Sequence, residues 1–189
     1  EENVGYAGSP VLQWTGNSLL AAFLVLVLFF GLYFSNHHIF EQYNKYLYVL
    51  LVFALSAVAS FVMAQTEPEY FYMIPFTLIA LYLLAFFSRR LVLTVYIISL
   101  MPMLIAAPDG IELFFIYLCG GVVAIYVFDY FNKGWLQFVS ALITFAVMAL
   151  VWVSFRLADG AETFLSYRQL GHLSLAALLA VAGYPLIYL

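Results

Sequence analysis

Arg156, Tyr167, Arg168 and His172, interleaved with Asp159 and Glu162, form a polar constellation within seventeen residues. Arg168 and His172 are one helical turn apart and would share a face. Such a face can meet an anionic ligand or an acidic partner domain, although salt bridging to Asp159 and Glu162 is the leading expectation. His37 and His38 are a second place with metal-binding chemistry. Neighbouring positions on an α-helix point about 100° apart, and with no third ligand evident nearby the pair is read as a solvated loop. Cys119 is the single cysteine and lies in an apolar run, where it packs as a small hydrophobe with no thiol partner for a disulfide. Gly-x-Ser-x-Gly, His-Glu-x-x-His and a pair of membrane-embedded aspartates are all missing, so the usual intramembrane hydrolases lack their parts. No catalytic residue, metal or cofactor is expected within these residues.

The elements that must hold those groups follow from apolarity. Of 189 residues, 67% are hydrophobic, 20% aromatic and 8% charged, where soluble domains carry roughly a quarter charged. The formal net charge is −4 and there is no basic cluster, which excludes nucleic acid as a direct partner. Seven apolar stretches, about 16–35, 46–64, 71–88, 91–107, 111–130, 135–157 and 170–189, approach the roughly 20 residues that a helix needs to cross a bilayer. Continuous apolar runs predict helices and not the alternating segments of a barrel. The expected fold is therefore all-α, a polytopic membrane protein with a bundle of seven transmembrane helices. The third and fourth stretches carry Pro75 and Pro102, yet a re-entrant pair would bury Arg89 and Arg90 at about 2.5–3.5 kcal/mol each, so two full crossings are expected.

Charge orients the bundle. Lys45, Arg89, Arg90 and Lys133 fall on one side, and Arg156 and Arg168 fall on the other with most of the carboxylates. The positive-inside rule makes the first side cytoplasmic, which puts the N-terminus outside and the C-terminus inside. Trp14, Tyr70, Tyr72 and Trp152 are expected to anchor the outer interface, and Tyr43, Tyr46, Tyr130, Trp135 and Tyr188 the inner one. No charged side chain occupies the middle third of a span, which counts against an ion-coupled transporter. Ser56 with Ser60, Gly120 with Ala124 and Ala176 with Ala180 have the small-residue spacing of close helix contacts. Asp129 is expected to face Lys133 near the inner interface. Gly183 and Pro185 are the candidate hinge at the inner end, since glycine relaxes a helix and proline removes one of its hydrogen bonds.

Several segments resemble the bacterial seven-transmembrane receptors with an intracellular HD hydrolase, a family that includes cyclic di-AMP phosphodiesterases. Met73-Ile74-Pro75-Phe76 looks like that family's proline-marked third span, followed by the short turn Ser88-Arg89-Arg90. The run from Leu179 to Tyr188, with Gly183-Tyr184-Pro185 inside it, is similar to the stretch that closes the family's membrane domain, and Cys119 to Ala124 resembles its fifth span. Asn132-Lys133-Gly134 is less basic than the family's usual inner loop. The resemblance implies an upstream extracellular sensory domain, this bundle, and a downstream cytoplasmic metal-dependent phosphohydrolase whose divalent-metal ligands lie outside these residues. The opening Glu1-Glu2-Asn3, without an initiator methionine or signal-peptide pattern, agrees with a piece of a longer polypeptide. Residues 1–15 would then be the extracellular lead-in and 16–189 the membrane domain.

The function expected first is a sensory and signal-transducing membrane domain of a receptor in the bacterial cytoplasmic membrane. Its expected partners are the lipid bilayer, its own flanking domains, a second copy in a homodimer and a small-molecule ligand. A passive anchor or dimerisation module and a small uncoupled permease are the alternatives.

Overall fold

Hydrocarbon offers no water to a free amide, so the apolar runs of this sequence close their own hydrogen bonds as helices. In the computed structural model the described residues are 10–128, 130–131, 136–158 and 167–183, with side chains described from Thr15 onward. They form seven α-helices: α1 (Pro10–Ser35), α2 (Tyr43–Met63), α3 (Phe76–Leu84), α4 (Arg89–Ala106), α5 (Gly110–Val127), α6 (Gln137–Ala158) and α7 (Tyr167–Gly183). Two 3-10 turns, His37–Glu41 and Pro68–Met73, precede α2 and α3. No strand occurs among the described residues. Five of the helices, α1, α2, α4, α5 and α6, are long and apolar enough to cross a membrane.

The third expected span departs from a single helix. Pro68–Met73 is a 3-10 turn, and α3 starts only at Phe76 and runs for 9 residues, about 14 Å at the α-helical rise. Between them Ile74 is extended (φ −71°, ψ 127°) and Pro75 has φ −80°, ψ 63°, with the Phe76 amide donating to the Ile74 carbonyl at 2.8 Å. This is an inverse γ-turn. Proline's ring drives the residue before it out of the helical region and removes the amide a helix would need, so the span is cut where its sequence carries Pro75. Pro102, by contrast, is held inside α4 and buried.

The core is organised around α4 and α5. α4 packs on α1, α2, α3 and α5; α5 packs on α3, α4 and α6; α7 lies on α6, α3 and the Pro68–Met73 turn. α1 is peripheral, with α4 as its main helical neighbour, and it exposes Leu19, Phe23, Phe30 and Phe34. Such a face suits lipid tails.

Small residues let the central helices close. A Cβ at Gly121 would collide with the ring of Tyr96 on α4, and one at Gly120 would stand 2.6 Å from Met148 on α6. The space so gained admits the Tyr96 hydroxyl, which donates to the Tyr117 carbonyl at 2.6 Å, while Tyr117 donates to the Phe71 carbonyl at 2.9 Å. These hydroxyls satisfy themselves on backbone oxygens, as buried polar groups must. On α2, Ser56 donates to the Ser99 carbonyl of α4, and Ser60 donates back to Ser56. Ala176 and Ala180 are buried on α7. Cys119 is half-buried on α5.

Candidate functional site

α5 begins with Asp109 at its cap and Glu112 in its first turn, where the positive end of the helix dipole favours a carboxylate. The connection from α4 is tight enough that the Leu104 carbonyl occupies the place of a Cβ at Gly110. Glu112 is thereby carried into the bundle and is only 7% exposed. α6 runs antiparallel to α5 and delivers Arg156, in its last turn, to the same level.

The Arg156 guanidinium stands 3.0 Å from Glu112 Oε1. The Tyr72 hydroxyl donates to the same oxygen at 2.9 Å, and Arg156 Nη2 also reaches the Tyr72 oxygen at 3.3 Å. Gln169 of α7 completes the group: its Oε1 accepts from Trp152 Nε1 at 3.0 Å and from Arg156 Nη2 at 3.4 Å. The guanidinium also lies over the Trp152 ring, 5.8 Å from its centre, in cation–π range. A single buried charge pair thus joins the Pro68–Met73 turn, α5, α6 and α7. Its strength rests on exclusion of water, since charge-assisted hydrogen bonds of this kind are roughly twice as strong as neutral ones.

A second, wetter contact lies nearby. Arg168 at the start of α7 is 3.2 Å from Glu69, with side chains 71% and 36% exposed. His172 Nδ1 is 3.2 Å from the Glu69 carbonyl, a bond that places its proton on that nitrogen, and its ring lies 6.1 Å from that of Tyr70. Arg168 and His172 do therefore share a face, and that face meets the Pro68–Met73 turn. Tyr167 is 71% exposed and takes no part in these contacts among the described residues. Beside Glu112 a cleft of about 390 Å³ is lined by Leu104, Pro108, Asp109 and Phe155.

The described carboxylate partners of the two arginines are thus Glu112 and Glu69, both far away in sequence, whereas Asp159 and Glu162 lie outside the described residues. Tyr72 and Trp152 correct another expectation. Both are 1% exposed, so they are network members and not interface anchors, because their polar atoms found partners inside the bundle. Glu112 and Gln169 were not singled out in the sequence, and Tyr72 was read there only as an interface anchor. The one usable signal was Glu112, a carboxylate a single turn inside an otherwise apolar helix.

At the opposite end the Tyr82 hydroxyl of α3 donates to the Gly183 carbonyl at 3.1 Å, and a Cβ at Gly183 would stand 3.0 Å from Leu78. The end of α7 is therefore fitted against α3. Pro185, the other half of the candidate hinge, lies outside the described residues, as do Lys133 and Asp129. Lys45, Arg89 and Arg90 are exposed at this same end, with Arg89 over the ring of Tyr126 at 5.7 Å.

A family model described as 7TM receptor with intracellular HD hydrolase matches residues 11–189. No curated protein and no solved structure matches the chain.

Proposed function

Because this chain belongs to the family of 7TM receptors with an intracellular HD hydrolase, we propose that it is the transmembrane module that passes an external signal to a cytoplasmic, metal-dependent HD phosphohydrolase acting on a cyclic dinucleotide. The chain carries no catalytic group of its own in this proposal. It crosses the membrane seven times, with the Glu112 end outside and the Lys45 and Arg89 end in the cytoplasm, as the positive-inside rule requires.

One observation carries the proposal. Two segments run from the Arg156 network to the Tyr82–Gly183 contact: the Pro68–Met73 turn with α3, and α7. A ligand or an upstream domain that alters the Tyr72, Glu112 and Arg156 contacts would shift both segments, and α7 ends at Gly183. Transmission of this kind needs two packings of the helices with different affinity for the signal, and close-packed helices switch between discrete arrangements more readily than they deform smoothly. The γ-turn at Pro75 is a natural joint between the turn that senses and the helix that relays.

The test uses the full-length protein in liposomes, with cyclic dinucleotide hydrolysis as the readout. Tyr82→Phe, Gly183→Leu and Pro185→Ala are each expected to change basal or signal-dependent activity at least twofold, with unchanged protein level. Activity and regulation identical to wild type in all three would sink the relay and leave a passive anchor.

A further inference from the structure

We propose that His37, His38 and Glu41 form a binding site for a zinc-class divalent cation at the connection between α1 and α2. The three residues occupy a 3-10 turn, His37–Glu41, whose two other members face inward. Ile39 is 2% exposed and enters the core, and the Phe40 ring packs against those of Phe29 and Tyr46 at 5.1 and 5.3 Å. Pinning those two side chains leaves the two imidazoles and the carboxylate exposed and close together.

A 3-10 helix has 3.0 residues per turn, so positions i and i+3 eclipse. Glu41 therefore sits beneath His38, with Nδ1 and Oε2 3.3 Å apart. That separation is the ligand-to-ligand edge of a tetrahedron with metal bonds of about 2.0 Å, which is also about 3.3 Å. One ligand atom from each of the three residues lies within 4.8 Å of the others, so that ligation requires the His37 imidazole to move inward from its place in this structure. His37 is held edge-on between Tyr33 and His38, with ring centres 5.4 and 5.8 Å away. Two nitrogens and one carboxylate oxygen favour zinc and its neighbours over calcium or magnesium, which take oxygen sets. Water would fill the fourth position.

On an α-helix the two adjacent histidines would diverge, and no third ligand stands out beside them in the sequence. The third ligand is Glu41, and the 3-10 pitch is what brings it under His38. A bound cation would clamp the turn that joins peripheral α1 to α2, two helices that otherwise meet mainly through α4.

The experiment places the tag-free 189-residue chain in nanodiscs, strips it with chelator and titrates it with Co²⁺ and then Zn²⁺. Co²⁺ is expected to bind at one equivalent with the visible absorption of tetrahedral coordination, to be displaced by Zn²⁺, and to raise the thermal unfolding midpoint. His38→Ala and Glu41→Gln should each weaken binding at least tenfold, and the His37→Ala/His38→Ala pair should abolish it, whereas His172→Ala, at the opposite end of the bundle, should change nothing. Binding that survives the double substitution, or absorption typical of octahedral cobalt only, would overturn the site. The three side chains are exposed, so these variants are expected to keep wild-type helix content by circular dichroism.

Discussion

The two ends of this bundle handle charge in opposite ways. At one end Arg156, Glu112 and Tyr72 come from three different elements and are drawn together out of water. At the other, Lys45, Arg89 and Arg90 remain exposed, and the link between helices is a neutral bond from Tyr82 to the Gly183 carbonyl. Charge removed from water must be matched by a partner, so it fixes how helices meet. Charge left in water contributes little to packing and acts instead on which way the chain threads the membrane.

The contrast is broken most sharply at Glu112. Glu112→Ala would strand the Arg156 guanidinium, and loss of one partner of a largely buried pair costs about 3 kcal/mol or more; unfolding in mixed micelles by detergent titration would register it. Replacing both partners, as Glu112→Leu with Arg156→Met, should recover most of that loss, because the uncompensated charge is gone. A double variant as unstable as the single one would show that shape, and not charge pairing, dominates there.

Between the ends, the uncharged middle is expected to answer chiefly to volume, together with the Tyr96 hydroxyl bond that the close approach admits. Gly121→Ala places a methyl into the Tyr96 ring, and overpacking of this sort costs about 1–3 kcal/mol. The same micelle titration measures it, and a neutral outcome would mean that α4 and α5 can separate without loss.

The smallest effects belong to exposed charge. Arg168→Gln removes an ion pair that is largely in water and should shift stability by less than about 1 kcal/mol. Arg89→Gln with Arg90→Gln should change it by no more than about 0.5 kcal/mol, yet alter threading, which labelling of an introduced cysteine at either end would reveal. A large stability loss from either change would erase the distinction between buried and exposed charge.

Much of the helix plan was legible because it depends on residue type alone. Long apolar runs require internally bonded backbone, and Pro75 marked the place where one of them breaks, although the γ-turn and the 9-residue length of α3 needed the local dihedrals. The candidate site was half legible. Arg156 and Arg168 stood out as cations among carboxylates, with His172 one turn from Arg168, but their partners did not. Glu112 is 44 positions from Arg156, and Glu69 is 99 from Arg168, separations that no local spacing rule reaches.

Tyr72 and Trp152 show the same limit from the other direction. An aromatic residue near the end of a span is equally suited to the interface and to the interior, and only the presence of an acceptor across the bundle decides between them. Membrane residence, helical class and the segregation of charge to two ends were determined by the sequence itself, since hydration energies act on each residue separately. Which arginine met which carboxylate, which tyrosines turned inward, and how Glu41 came to lie beneath His38 were decided only in the tertiary structure, since those pairings depend on how segments distant in the chain, or a turn of particular pitch, are brought together in space.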